Sequence, residues 1–345
     1  MKLVRTEDAV GQVLCHDITQ IIPGVVKDAV FRKGHIVTEE DIPVLLSVGK
    51  ENLYIWEKQE GMLHENEAAE ILRQICQGEH MHPSEVKEGK IELIADCEGV
   101  LKINTEKLNA VNNLGEMMIA SRHGNFPVKT GDKIAGTRII PLVIEEEKMQ
   151  KACEVAGKEP IFRILPYQKK KAGIVTTGSE VYYHRIEDKF TPVVIEKLKE
   201  CGVTEVKQIQ CNDDHEMITE AIQTLIEDGS DLIVCTGGMS VDPDDRTPLA
   251  IKNACTEVVT YGAPVLPGAM FMLAYCEKEG RQIPVMGLPG CVMYAKRTIF
   301  DLVLPRIMCD EKLHEKDFRL LGQGGLCLSC PVCTFPNCGF GKGGY

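Results

Sequence analysis

Residues 231–248 read DLIVCTGGMSVDPDDRTP, and this stretch decides the fold. An unbroken apolar run, 232–235, leads into a glycine pair, Gly237 and Gly238. Asp242, Asp244 and Asp245 follow within four positions, and Thr247-Pro248 opens a helical pattern. A strand that is apolar on both sides must be covered on both faces, as in a parallel sheet flanked by helices. Proline is at home in the first turn of a helix, where its missing N–H costs nothing.

The segments on either side repeat the pattern. KAGIVTTG (171–178), EVKQIQC (205–211) and IPVMGLPG (283–290) read as strands. TPVVIEKLKECG (191–202), DDHEMITEAIQTLIEDG (213–229) and TPLAIKNAC (247–255) read as helices, and CVMYAKRTIFDLVLPRIM (291–308) as one long closing helix. Strands alternating with helices predict an α/β domain, a three-layer α/β/α arrangement on a mostly parallel sheet, over 166–312.

Before it the pattern is different. Residues 1–60 alternate strand signals with one helix starting near Thr38 to Asp41 and stopped by Gly49. HENEAAEILRQICQ (64–77) sets Ala69, Leu72, Ile75 and Cys76 on one helical face. From Gly89 to Glu147 short apolar runs are separated by glycine turns, and 145–168 reads as a helix or linker. The expectation is a smaller, β-rich α+β region ahead of the α/β domain. It divides into a domain over 1–60 and a helix plus β-rich linker over 61–165. A glycine-rich and cysteine-rich tail over 313–345 has no periodic core.

Composition narrows the function. A net charge of -12 argues against a nucleic-acid surface, which would need a basic stripe. No apolar run approaches the ~18 residues of a membrane span, and the N-terminus lacks the apolar core of a signal peptide. Fifteen cysteines, eleven of them scattered singly, read as reduced thiols of a cytoplasmic protein.

Three glycine turns fall at strand carboxyl ends: TTGSEV (176–181), CTGGMSVDPDD (235–245) and GLPGC (287–291). In open α/β sheets that edge is where ligands bind, so topology gathers the three turns there. Glycine turns and helix N-termini offer N–H groups to a phosphate. Carboxylates repel a phosphate unless they hold a cation, and Mg2+ can bridge the two. The stretch therefore reads as half anion cradle and half cation holder, with acids and glycines as ordinary loop residues the bland alternative for any one turn. Cys291 stands at a helix start, where a thiol can be activated; ordinary packing is the favoured reading.

GIVTTGSEV, DKFTPVVIEKLKECGV, CNDDHEMITEAI, LIVCTGGMSVDPDDRTPLAI and PVMGLPG resemble, in order and spacing, the molybdopterin-binding domain of MoaB/Mog type. That domain is shared by molybdopterin adenylyltransferases, molybdopterin molybdenumtransferases and competence-damage-type pyrophosphatases. The resemblance is close over 168–310 and weaker over 89–168. It implies binding of molybdopterin or its adenylylated form, with Mg2+, and a role in molybdenum cofactor biosynthesis.

Residue by residue, the resemblance assigns catalytic roles to Asp242, Asp245 and Glu180, with Asp242 and Asp245 holding Mg2+. It assigns ligand binding to Thr177, Gly178, Ser179, Asp188, Asp214 (or its neighbour Asp213), Gly237, Gly238, Ser240, Thr247, Gly287, Pro289 and Gly290. ATP or molybdate would be co-substrates, a homo-oligomer is expected, and a molybdoenzyme is a candidate client. Ser179 stands where molybdenumtransferases have aspartate, and Cys291-Val292 where they have Asn-Pro. DPDDRTP leans towards the other two branches. A transferase and a non-catalytic carrier or maturation protein therefore both stay open, as does pyrophosphatase action on a nucleotide.

In the tail, Cys327, Cys330, Cys333 and Cys338 have the spacing C-x2-C-x2-C-x4-C. Zinc and an iron–sulfur cluster are both candidates for it, against an unstructured tail with free thiols.

Overall fold

The computed structural model of the chain describes residues 2–22, 26–55 and 60–343. The chain packs as two compact units. The first comprises 1–96, 103–122 and 130–163; the second comprises 97–102, 123–129 and 164–345. The tail beyond 312 falls within the second unit.

The first unit is β-rich with short helices. Lys2–Arg5 pairs antiparallel with Asn52–Ile55, and Ile18–Ile22 with Val26–Phe31. Leu14, Ile18, Val37, Leu45 and Leu53 form a small core there. The helix Asp41–Ser47 ends before Gly49, whose φ of 79° suits the residue after a helix. The helix Glu65–Cys76 buries Ala68, Ala69, Leu72, Ile75 and Cys76, the face its spacing predicts. A four-stranded sheet built on Lys90–Ala95 and Lys133–Ile139 follows. The helix Thr105–Asn112, capped by the Asn104 side chain, was not legible from periodicity.

The second unit is built on a six-stranded sheet. Its order is Glu205–Cys211, Lys171–Thr177, Leu232–Thr236, Arg281–Leu288, Met272–Lys278, Glu257–Tyr261. The first four strands run parallel, and the last two are antiparallel additions at one edge. Alternate residues face opposite layers. Ala172, Ile174, Leu232, Val234 and Met286 pack against Val194, Leu198, Phe300 and Val303 of the helices Phe190–Glu200 and Ile299–Met308. Val175, Ile233, Cys235 and Val285 pack against Ile218, Ile222, Leu225, Ala250 and Ile251 of His215–Glu227 and Thr247–Ala254. Burying a side chain of this kind contributes roughly 1.5–3 kcal/mol, so the two layers carry most of the unit's stability.

Two sequence expectations need correction. Residues 291–308 are not one helix: a single 3-10 turn, Gly290–Met293, stops, and a new helix starts at Ile299. Thr298 and Asp301 form a capping box that restarts the backbone there. The second correction concerns the tail, which is built onto the core. Phe340 is 4% exposed and joins the same apolar layer as Phe300 and Phe318.

Candidate functional site at the carboxyl edge of the sheet

The sheet register brings the three turns together. Thr176 pairs with Thr236, and Thr236 pairs with Leu288, so the strands end side by side. The Thr177 hydroxyl lies 3.0 Å from the Thr236 carbonyl and 3.1 Å from the Thr247 hydroxyl. The Thr247 N–H donates to the Gly238 carbonyl at 3.2 Å. The first turn, the glycine pair and the start of the Thr247–Ala254 helix are thereby one locked unit.

Glycine is required at Gly237. Its φ is 88°, and a Cβ would stand 2.5 Å from the Thr177 carbonyl oxygen. Gly287 is held by packing: a Cβ there would meet the Met239 side chain at 2.6 Å.

The edge leaves polar groups unspent. The N–H groups of Gly238, Met239 and Ser240 have no hydrogen-bond partner among the described residues. The Thr236 hydroxyl is fully buried and likewise without a partner, a costly state unless something else engages it. Asp242 and Asp244 are exposed and Asp245 partly so. None of the three makes an ion pair or a side-chain hydrogen bond among the described residues. Three uncompensated carboxylates beside free N–H donors is the pattern expected where a cation and an anion bind together.

The predicted residues separate into two groups. Gly178, Ser179, Glu180, Gly237, Gly238, Ser240, Asp242, Asp245 and Gly290 lie on the open part of the edge. Thr177, Thr247, Gly287 and Pro289 are buried and hold the turns in place. Asp188 is engaged from four sides: Oδ1 accepts from the Phe190 and Thr191 N–H groups, and Oδ2 faces the Gln208 amide at 2.9 Å and the Thr176 hydroxyl at 3.5 Å. Burial works to raise its pKa. The hydrogen bonds, led by those from Thr191, outweigh this and hold its carboxyl below the usual range.

Asp214 caps the helix His215–Glu227 through the Glu216 and Met217 N–H groups. Its neighbour Asp213 is the one that reaches the site, accepting from the Ser179 N–H at 2.8 Å. Burial pushes the Cys291 thiol above its ordinary pKa, which is not the state of an activated thiolate.

Sequence reasoning missed Tyr261. It comes from the antiparallel edge strand, and its hydroxyl donates to the Met239 carbonyl at 3.0 Å. Burial first and the Asp245 charge second raise its pKa, keeping it a proton donor.

No group of three or more His, Cys, Asp or Glu is placed to hold a metal ion among the described residues. Asp242 and Asp245 therefore do not form an all-protein Mg2+ cage, and the four tail cysteines do not close on one ion. A pair of carboxylates is nonetheless the usual protein share for Mg2+, which draws its other ligands from water and phosphate. Cavities of about 350, 600 and 640 Å³ in this unit are lined by other residues; Asp242 and Asp244 stand exposed and Asp245 half-buried. Among the described residues no helix is long and apolar enough to cross a membrane.

The second unit is thus a three-layer α/β/α domain with unpartnered N–H groups and free carboxylates at its strand ends. Residues 173–308 match the family described as a probable molybdopterin binding domain, and residues 3–57 match a domain of unknown function (DUF8806). Over 173–308 the chain is therefore similar to a molybdopterin-binding domain family.

Similar proteins include a CinA-like protein of Mycobacterium sp. (strain MCS), 35% identical over 85 residues, covering 25% of this chain and 20% of that protein. A CinA-like protein of Mycobacterium avium (strain 104) is 34% identical over 95 residues, covering 28% and 22%. The chain thus spans about a fifth of the length of these curated relatives. Among solved structures, the tungsten cofactor synthesizing protein MoaB of Pyrococcus furiosus aligns with TM-score 0.32 and 22% identity, over 36% of this chain and 84% of that one. CinA of Thermoplasma acidophilum aligns with TM-score 0.33 and 15% identity, over 41% and 98%.

Proposed function

We propose that the strand-end edge binds the phosphate of molybdopterin or of its adenylylated form, and that the protein is a transferase of molybdenum cofactor biosynthesis. The molybdenumtransferase and adenylyltransferase reactions are the two versions. The observation that carries the reading is the pairing, on one locked edge, of unspent N–H groups at 238–240 with the uncompensated carboxylates of Asp242 and Asp245.

In this reading Gly238, Met239 and Ser240 donate N–H bonds to phosphate oxygens, and Thr236 supplies a hydroxyl at the strand end. Asp242 and Asp245 would hold Mg2+, which offsets charge on a phosphoryl group when bound. Asp213 fixes the Ser179 N–H, and Tyr261 fixes the Met239 carbonyl, so both loops are oriented before ligand arrives. The chain's share of the chemistry is positioning and electrostatics, as in phosphoryl transfer generally.

A non-catalytic carrier is the second reading, favoured by Ser179 at a position where molybdenumtransferases have an acid. Incubation with molybdopterin, Mg-ATP and molybdate separates them. Nucleotide turnover that is lost in Asp245→Ala supports the transferase. Tight pterin binding without turnover supports the carrier. Absence of pterin binding overturns both.

A further inference from the structure

We propose that the tail is the binding site of a four-iron iron–sulfur cluster held by Cys327, Cys330, Cys333 and Cys338. All four cysteines line a single cavity of about 600 Å³, although they are spread over a dozen residues of chain. Backbone hydrogen bonds tie both ends of the loop. Leu266 N–H donates to the Gly325 carbonyl and Cys327 N–H to the Leu266 carbonyl, both at 2.8 Å. Gly341 N–H closes the far end on the Gly324 carbonyl at 2.9 Å, and Phe340 is anchored in the core beside it. The cysteines are presented from a loop whose two ends are fixed.

The kind of centre is argued from the shared cavity and the sequence motif. A zinc ion needs its sulfurs at about 2.3 Å from one point, hence in mutual contact. No such group exists among the described residues. Four thiols distributed around a cavity instead suit a cubane, which takes one cysteine at each iron corner. The first three follow the C-x2-C-x2-C spacing common in cluster proteins. The fourth arrives after Pro336, and the Phe335 ring, two residues before the intervening Asn337, packs 5.9 Å from Phe126 and 6.3 Å from Phe340.

The surroundings fit a cluster's charge. Four thiolates with a cubane carry net negative charge, so a basic wall in an apolar pocket stabilises them. In a chain of net charge -12, Lys296 supplies that positive charge; Arg297 also lines the cavity but is already paired with Asp301 and Glu200. Lys296 Nζ donates to the Pro331 carbonyl at 2.8 Å, between two of the cysteines, and has no carboxylate partner among the described residues. Arg297 stacks 5.2 Å over the Phe335 ring and is held by Asp301 and Glu200. Leu326, Leu328 and Phe340 supply apolar lining. Leu328 and Val332 are 77% and 76% exposed, unusual for aliphatic side chains on a loop with nothing to cover them.

The test uses the full chain, reconstituted anaerobically with ferric iron, sulfide and excess dithiothreitol, the thiol reducing half of the iron to ferrous as it is oxidised to its disulfide, and then desalted. The expected result is roughly four iron and four acid-labile sulfide per chain, with a broad visible absorption that dithionite bleaches. Cys330→Ser and Cys333→Ser should each lower retained iron and absorption several-fold, with far-UV circular dichroism unchanged because both side chains are exposed. Cys153→Ser, an exposed thiol of the first unit, should retain both fully. Zinc bound without sulfide, no retained iron, or equal retention in the Cys330→Ser Cys333→Ser double variant would each overturn the assignment.

Discussion

The strand-end edge and the tail of the second unit are both built from glycine turns, yet they solve opposite problems. The edge is charged and open. Its rigidity comes from short hydroxyl and carbonyl contacts among Thr177, Thr236 and Thr247, and its carboxylates stay free. The tail encloses an apolar cavity and draws its rigidity from distant partners, Leu266 and the core around Phe340. Local contacts organise the edge; distant anchoring organises the tail pocket. The segment 294–301 joins them, running from the end of the Gly287 turn along the cavity wall to Asp301.

That shared segment is where the largest effect is expected. Asp301 is 6% exposed, bonds Lys197 at 2.6 Å and Arg297 at 2.8 Å, and caps the Thr298 N–H at 2.7 Å. Asp301→Ala leaves the buried Lys197 ammonium unpaired and should cost roughly 3–5 kcal/mol in urea unfolding. If the two regions are as independent as the contrast holds, Gly237→Ala should act on the edge alone. It forces a positive φ and a backbone clash, costing roughly 1–3 kcal/mol, and should abolish pterin binding while iron retention in the tail is unchanged.

Acid sharpens the contrast. Asp188 near the edge, and Glu311 and Asp317 around Arg306, all have depressed folded-state pKa values. Burial opposes the shift in each, and hydrogen bonds, the largest from Thr191 or Arg306, outweigh it. Such groups contribute stability above the ordinary carboxylate range and lose it as pH falls through the depressed folded values. Urea midpoints should therefore be flat near neutrality and fall below about pH 4. Thr247→Val removes one buried hydroxyl pair and should cost about 1 kcal/mol with weaker pterin binding. Asp245→Ala, smallest in stability, should stay within about 0.5 kcal/mol because the side chain has no partner to lose.

The sequence showed the central parallel strands because strands covered on both faces are apolar at nearly every position, as in Leu232–Cys235. It showed the acids of the edge because they interrupt that pattern. The antiparallel strands Glu257–Tyr261 and Met272–Lys278 were hidden: a register shift breaks the first, and no tight turn joins them. Tyr261 was missed with them. Asp213 and Asp214 are adjacent, and only the fold shows which one turns towards Ser179 and which caps its own helix. The tail was read as coreless because its order depends on Leu266 and Phe126, far away in sequence and without any periodic signal.

The most direct measurement is calorimetric titration of molybdopterin into the full chain, with and without Mg2+, for the native protein and for Asp242→Ala Asp245→Ala. The account predicts Mg2+-dependent binding that the double variant weakens by on the order of tenfold or more, with unfolding unchanged. Equal affinity of both proteins in the presence of Mg2+ would contradict it.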